Sequence, residues 1–223
     1  MLKSTKEKLF LIFGFFIIFI YLNLDKFNSN NTKRNNIKTE ENYRISQALN
    51  NEICPIPEMS EEVKREKLNS FIEKLNARHD NNEFISELEV VEKLESRSLI
   101  SNMHKKEEVL PGEFSFGEDK ELFHLILCYS ADENYTKKAF AHEMEHYSVI
   151  KKYNLPADFR IVFSNGKNGF TAISPSVATS FPSNFTKEQI IKIHSEILEV
   201  TEERSEGDQN AINEYNKLLE KNE

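Results

Sequence analysis

The sequence predicts an α+β fold, in which a small mixed sheet packs on one buried helix and helical parts lie at both ends. Three observations support this prediction. Apolar residues recur at helical spacing before residue 100 and after residue 186. Two apolar runs between these parts, Leu122–Tyr129 and Phe159–Phe163, have the length of strands. The segment between the two runs, residues 137–153, is apolar on two nearly opposite faces, which is typical of a buried helix.

The composition indicates one domain with appendages and a strongly charged surface. The chain has 223 residues, of which 39% are hydrophobic and 30% are charged. Its net charge of -8 argues against a nucleic-acid partner, because a surface that binds phosphates needs an excess of Lys and Arg.

The N-terminus carries a hydrophobic segment. Three lysines precede the apolar run Leu9–Leu22. A helix of roughly 14 to 16 residues is about 21 to 24 Å long, shorter than the roughly 30 Å hydrocarbon core of a bilayer. Residues 23–27 are a poor match to a cleavage site. Residues 1–24 are therefore predicted to be an uncleaved signal-anchor, with a cleaved signal peptide as the alternative. The protein would be membrane-anchored with a single pass, or secreted, with its domain outside the cytoplasm.

The remaining chain divides into a linker and a domain. Residues 25–57 are polar and Asn-rich and are predicted to be a linker. Residues 58–223 are predicted to form the domain, with residues 58–100 helical and residues 110–223 as its core. Ser60 is expected to cap the first helix, which runs to about Arg78.

The predicted core contains strands and then helices. Leu122–Tyr129 is interpreted as a strand because it is a nearly continuous apolar run. Phe159–Phe163 and Phe170–Ile173 flank a Gly/Asn turn and are predicted to form a hairpin. Thr186 begins a capping-box pattern that predicts a helix, and Gly207 marks a break before a last helix.

The two cysteines, Cys54 and Cys128, leave two interpretations open. They are too few for a structural zinc site with four cysteine ligands. They could form one disulfide in an oxidising compartment, or they could be two buried free thiols.

One cluster of residues has the spacing of a metal site. His142 and His146 are four residues apart, so a helix places both imidazoles on one face, where they can bind the same ion. Glu143 lies about 100° around the helix and can reach a metal-bound water without being a ligand. Two hydrogen-bonded core histidines are the alternative, but such buried groups are costly unless they are paired.

This segment resembles the zincin superfamily of zinc metallopeptidases, especially the subgroup whose third ligand is a glutamate on a downstream helix. The resemblance covers the stretch from Leu122 to Leu219 and includes the predicted order of strand, helix, hairpin and helix. The glycine and third histidine that extend the motif in metzincins are missing, because Val149 and Ile150 continue the helix.

The resemblance implies a third zinc ligand near Gly207. In that subgroup an aspartate follows the ligand glutamate by four residues, and Asp208 resembles this aspartate. However, Arg204 stands four residues before Asp208. Glu203 and Glu206 are acidic residues close to Arg204. Glu206 is the predicted third ligand, because Gly207 beside it allows close approach, and Glu203 is the alternate. Asp208 is expected either to orient one of the histidines or to cap a helix.

The function that the resemblance implies is zinc-dependent hydrolysis of a peptide bond, with Glu143 as the general base toward metal-activated water. A protein or peptide substrate would pair with an edge strand, either Leu122–Tyr129 or a strand of the hairpin. His194, Tyr215 and Tyr147 are weaker candidates for stabilising an oxyanion.

Two alternatives remain. In the first, the protein is a membrane-tethered helical interaction protein and its His-Glu-Met-Glu-His pattern is fortuitous. In the second, it is a catalytically inactive pseudo-peptidase, in which a fourth protein ligand closes the zinc site.

Overall fold

Helices and one small antiparallel sheet make up the described part of the chain. The structure is a computed structural model that describes residues 38–96, 109–166, 169–201 and 208–213. The chain divides into two compact units, residues 1–43 and 44–223. In the first unit, the described residues 38–43 are helical.

The predicted α+β class is confirmed. The described elements are, in order, α1 (residues 38–49), α2 (Glu61–Asp80), α3 (Glu87–Ser96), β1 (Glu113–Ser115), α4 (Lys120–Ser130), α5 (Glu133–Lys152), β2 (Ala157–Gly166), β3 (Gly169–Thr179), α6 (Lys187–Glu199) and α7 (residues 208–213). The three strands lie in the order β1-β2-β3 and both pairings are antiparallel, so the described sheet is not the mixed sheet that was predicted.

The prediction of a strand at Leu122–Tyr129 was wrong, because these residues lie in helix α4. Asp119 caps the helix, and its Oδ1 accepts a hydrogen bond from the Leu122 amide at 2.9 Å. Every residue from Phe123 to Ser130 is buried. A helix that is buried on all faces needs apolar residues at every position, and its sequence then has no helical periodicity to distinguish it from a buried strand.

The predicted hairpin is confirmed and is longer than the sequence indicated. Strands β2 and β3 pair from Ala157 opposite Thr179 to Gly166 opposite Gly169, with a register shift at Val162/Phe163. The hairpin brings the C-terminal part of β3 next to α5, which carries the two predicted zinc-binding histidines.

Two predicted helix starts are also confirmed. The Ser60 side chain accepts a hydrogen bond from the Val63 amide at the start of α2. Thr186 and Gln189 form the predicted capping box at the start of α6. These contacts satisfy amides that have no partner within the first turn of a helix.

The described part of residues 25–57, the predicted linker, contains a helix and buried side chains. Residues 38–49 are helical, and Ala48 and Cys54 are fully buried. The Gln47 side chain donates to the Ala131 carbonyl at 2.9 Å, across 84 residues of chain. Tertiary contacts of this kind order a segment that its polar composition alone would leave unfolded.

The core surrounds α4. Aromatic side chains from α2, β1 and β2 pack together beside it, with the rings of Phe71 and Phe114 5.0 Å apart. A disulfide joins Cys54 to Cys128 on α4, which decides between the two interpretations of the cysteines. Within the described ranges, no helix combines the length and the apolarity needed to cross a bilayer. The hydrophobic segment 1–24 lies outside the described residues.

Candidate metal centre

Helix α5 presents two histidines on one face. Asp132 caps the helix by accepting a hydrogen bond from the Tyr135 amide at 3.0 Å. Ten residues later, the rings of His142 and His146 lie with centroids 4.6 Å apart, and their Nε2 atoms are 3.1 Å apart. The helical spacing of four residues therefore produces the convergence of imidazoles that the sequence predicted.

A carbonyl on α6 orients His146. Its Nδ1 lies 2.6 Å from the Ile197 carbonyl oxygen, which can only accept a hydrogen bond. Nδ1 must therefore carry the proton, and Nε2 of the neutral ring directs a lone pair toward His142. In metal sites, such a contact to the second ring nitrogen usually fixes the tautomer and the ring orientation of a histidine ligand.

Asp208, which lies on α7, is the third residue of the cluster. One carboxylate oxygen, Oδ2, is 3.1 Å from His142 Nε2, and the other, Oδ1, is 3.7 Å from His146 Nε2. Its side chain is 13% exposed. The ligand atoms of the three residues all lie within 4.8 Å of one another.

The three donors fit a zinc ion. Bonds of about 2.0 to 2.1 Å in tetrahedral geometry put neighbouring ligand atoms roughly 3.3 Å apart. The two Nε2 atoms are 3.1 Å apart, and the distances from them to Asp208 are 3.1 Å, to Oδ2, and 3.7 Å, to Oδ1, so the values lie on both sides of about 3.3 Å. Two imidazoles and one carboxylate are also a common set of ligands in catalytic zinc sites.

The charge of Asp208 acts on both histidines. Its hydrogen bond raises the pKa of His142, against the opposing effect of burial. Burial alone would lower the pKa of His146, but Asp208, Glu143 and the Ile197 carbonyl raise it. The pocket is therefore electronegative and favours a bound positive charge, either a proton or a metal ion.

Glu143 lies beside the cluster and is buried, with 6% of its surface exposed. Its Oε2 accepts a hydrogen bond from the Val177 amide on β3 at 2.8 Å. Burial raises the pKa of the Glu143 carboxyl to about 7, while the rings of His146 and His142 oppose that rise. The convergent group is formed by His142, His146 and Asp208, so Glu143 lies next to this group rather than within it.

The predicted third ligand Glu206 and its alternate Glu203 lie outside the described residues, and that assignment stays a prediction. The described residue that meets the two histidines is Asp208, for which the sequence indicated only an orienting or capping role. Gly207 was the one local signal in the sequence that pointed to Asp208. No spacing rule connects Asp208 to His146, because 62 residues of chain separate them.

The weaker candidates differ in position. The His194 ring lies 4.9 Å from the Phe181 ring, and burial lowers its pKa to about 4. Tyr147 packs against Phe159 at 5.2 Å as part of the core. Tyr215 lies outside the described residues.

No protein-family model matches the chain, and no curated protein or solved structure is significantly similar to it.

Proposed function

We propose that this protein is a zinc-dependent peptidase with a zincin-like active site. In this proposal His142, His146 and Asp208 hold the zinc ion, and Glu143 is the general base. One observation carries the proposal: two imidazoles, one of them oriented by the Ile197 carbonyl, converge with a carboxylate at spacings close to those of a tetrahedral site, and a buried carboxylate lies directly beside them.

Zinc bound by three protein ligands would supply a water of lowered pKa and would polarise the carbonyl of a substrate. The protein supplies the acid-base group. Glu143 follows the first ligand directly in sequence, so α5 points it to the side of the cluster. It takes a proton from the attacking water and passes it to the leaving amine, as a positioned carboxylate can do.

The proposal that the substrate is a peptide rests on strand β3, which lies beside Glu143. Of the two edge strands considered from the sequence, Leu122–Tyr129 is a helix, which leaves the hairpin. Strand β3 is one of the two outer strands of the described sheet, and its Val177 amide contacts Glu143. An extended peptide that donated its amides to the outward carbonyls of this strand would bring its own backbone carbonyls close to the proposed metal site.

The location of the protein is a further proposal. Residues 1–24 would hold the domain at a membrane with its active site outside the cytoplasm. The Cys54–Cys128 disulfide supports this location, because disulfides persist in oxidising compartments.

The test is zinc content per chain in the purified full-length protein, measured by elemental analysis. We expect about one zinc per chain, and its loss in His146→Ala and Asp208→Ala. The controls are His79→Ala and Asp80→Ala, which change exposed side chains on α2. A folded protein without zinc would refute the proposal and favour an interaction protein. Zinc without hydrolysis of any peptide in a mixed library would favour a pseudo-peptidase.

A further inference from the structure

The backbone amide of Val177 is the hydrogen-bond partner of the proposed general base. The amide lies on β3, and it donates to Glu143 Oε2 on α5 at 2.8 Å across 34 residues of chain. A bond from an amide to a carboxylate is charge-assisted, and such bonds are roughly twice as strong as neutral ones.

Strand register explains why this amide points toward α5. Val177 stands opposite Phe159 in the β2–β3 pair. Phe159 donates to the Gly117 carbonyl and accepts from the Phe116 amide, so both of its polar groups face the chain that follows β1. In such a pair both residues turn their polar groups away from each other. The Val177 amide therefore faces outward from the sheet.

Pro175 marks the same outer edge. It stands opposite Ile161, two residues from the Phe159–Val177 pair, and so faces outward as well. A proline at this position removes no hydrogen bond between the strands. Among residues 175–177, Val177 is therefore the one residue with an outward N–H, and Glu143 accepts from it.

We propose that the Val177 amide is the positioning group for Glu143. It holds Oε2, which leaves Oε1 as the oxygen that takes the proton from water. A glutamate has several rotatable bonds, and confining them when the side chain is buried costs conformational entropy. Strand β3 thus sets the direction of the carboxylate before substrate arrives. This inference rests on the proposed function.

A proline substitution tests the amide directly. Val177→Pro removes the N–H without removing a bond between β2 and β3, as Pro175 already illustrates. We expect Val177→Pro to keep its zinc and its KM and to lose about 10- to 100-fold in kcat, the usual effect of removing a group that orients a site.

A wild-type kcat in Val177→Pro would overturn the inference, and so would a loss of its zinc together with its activity. A second measurement does not depend on activity or on folding of the proline variant. In the metal-free full-length protein, the amide proton resonance of Val177 is compared between wild type and Glu143→Ala, with the Phe159 amide as internal control.

We expect the Val177 resonance to shift upfield in Glu143→Ala while that of Phe159 stays in place. An unshifted Val177 resonance would overturn the inference whatever the zinc content. Absence of zinc from the wild type would instead refute the proposed function, so the two failures are distinguishable.

Discussion

The Nδ1 atom of His146 lies 2.6 Å from the carbonyl oxygen of Ile197, which is 51 residues further along the chain. This contact joins α5 to α6 and decides which ring nitrogen faces His142 and Asp208. Without it, either nitrogen of a neutral imidazole could carry the proton. The backbone of α6 therefore fixes the tautomer of His146, while α5 fixes the position of this residue.

This contact predicts the tautomer of His146. In metal-free protein under alkaline conditions, where the ring is neutral, Nδ1 should be protonated and Nε2 should not. Two-bond ¹H–¹⁵N correlation spectra of the imidazoles measure this, and His146→Gln identifies the resonances. A proton on Nε2 would contradict the orientation that we assign to the ring.

Substitution Glu143→Gln should keep the zinc and lower turnover by roughly 100- to 10,000-fold, because the amide cannot take a proton from water. Zinc content and peptide hydrolysis are measured on the same preparation. Glu145→Gln is the matched control, since Glu145 is exposed on the same helix and should tolerate the change. Full turnover in Glu143→Gln would exclude Glu143 as the base.

Loss of the disulfide should lower the free energy of unfolding. Cys54 and Cys128 are separated by 74 residues. In the chain-entropy model, removing a cross-link that closes a loop of this size lowers the free energy of unfolding by about 4 kcal/mol. Urea denaturation of the Cys54→Ala/Cys128→Ala variant measures the loss. Wild type in a reducing buffer should show a similar decrease, which separates the effect of the cross-link from that of the side-chain change. Equal stability of oxidised and reduced wild type would contradict this account.

His124 should make the fold sensitive to acid. It is 9% exposed, and burial together with the nearby Lys64 charge lowers its pKa from 6.5 to about 4. Between these values the unfolded chain binds a proton that the folded chain does not, so stability falls as pH decreases. The contribution is about 3 kcal/mol near pH 4, since one pKa unit corresponds to roughly 1.4 kcal/mol.

Urea denaturation across this pH range measures the effect. His124→Gln should lose less stability on acidification than wild type, because glutamine does not titrate. The His79→Gln variant changes an exposed histidine and should keep the wild-type pH dependence. An unchanged slope in His124→Gln would show that other groups cause the sensitivity.

The secondary structure could be predicted where its signals were local. Ser60 and Thr186 begin helices because a short polar side chain next to a periodic apolar pattern satisfies the first amides of a helix. The hairpin followed from its turn residues. Helix α4 was misread because complete burial removes the alternation on which such predictions depend.

The sequence by itself determined the pair of histidines and the glutamate on α5, because residues within two turns of one helix have positions set by helical geometry alone. The tertiary structure decided the rest of the site. It brought Asp208, the Ile197 carbonyl and the Val177 amide to α5 from elements 30 or more residues away. Contacts over such distances depend on how helices and strands pack, and no local periodicity in a single sequence encodes them.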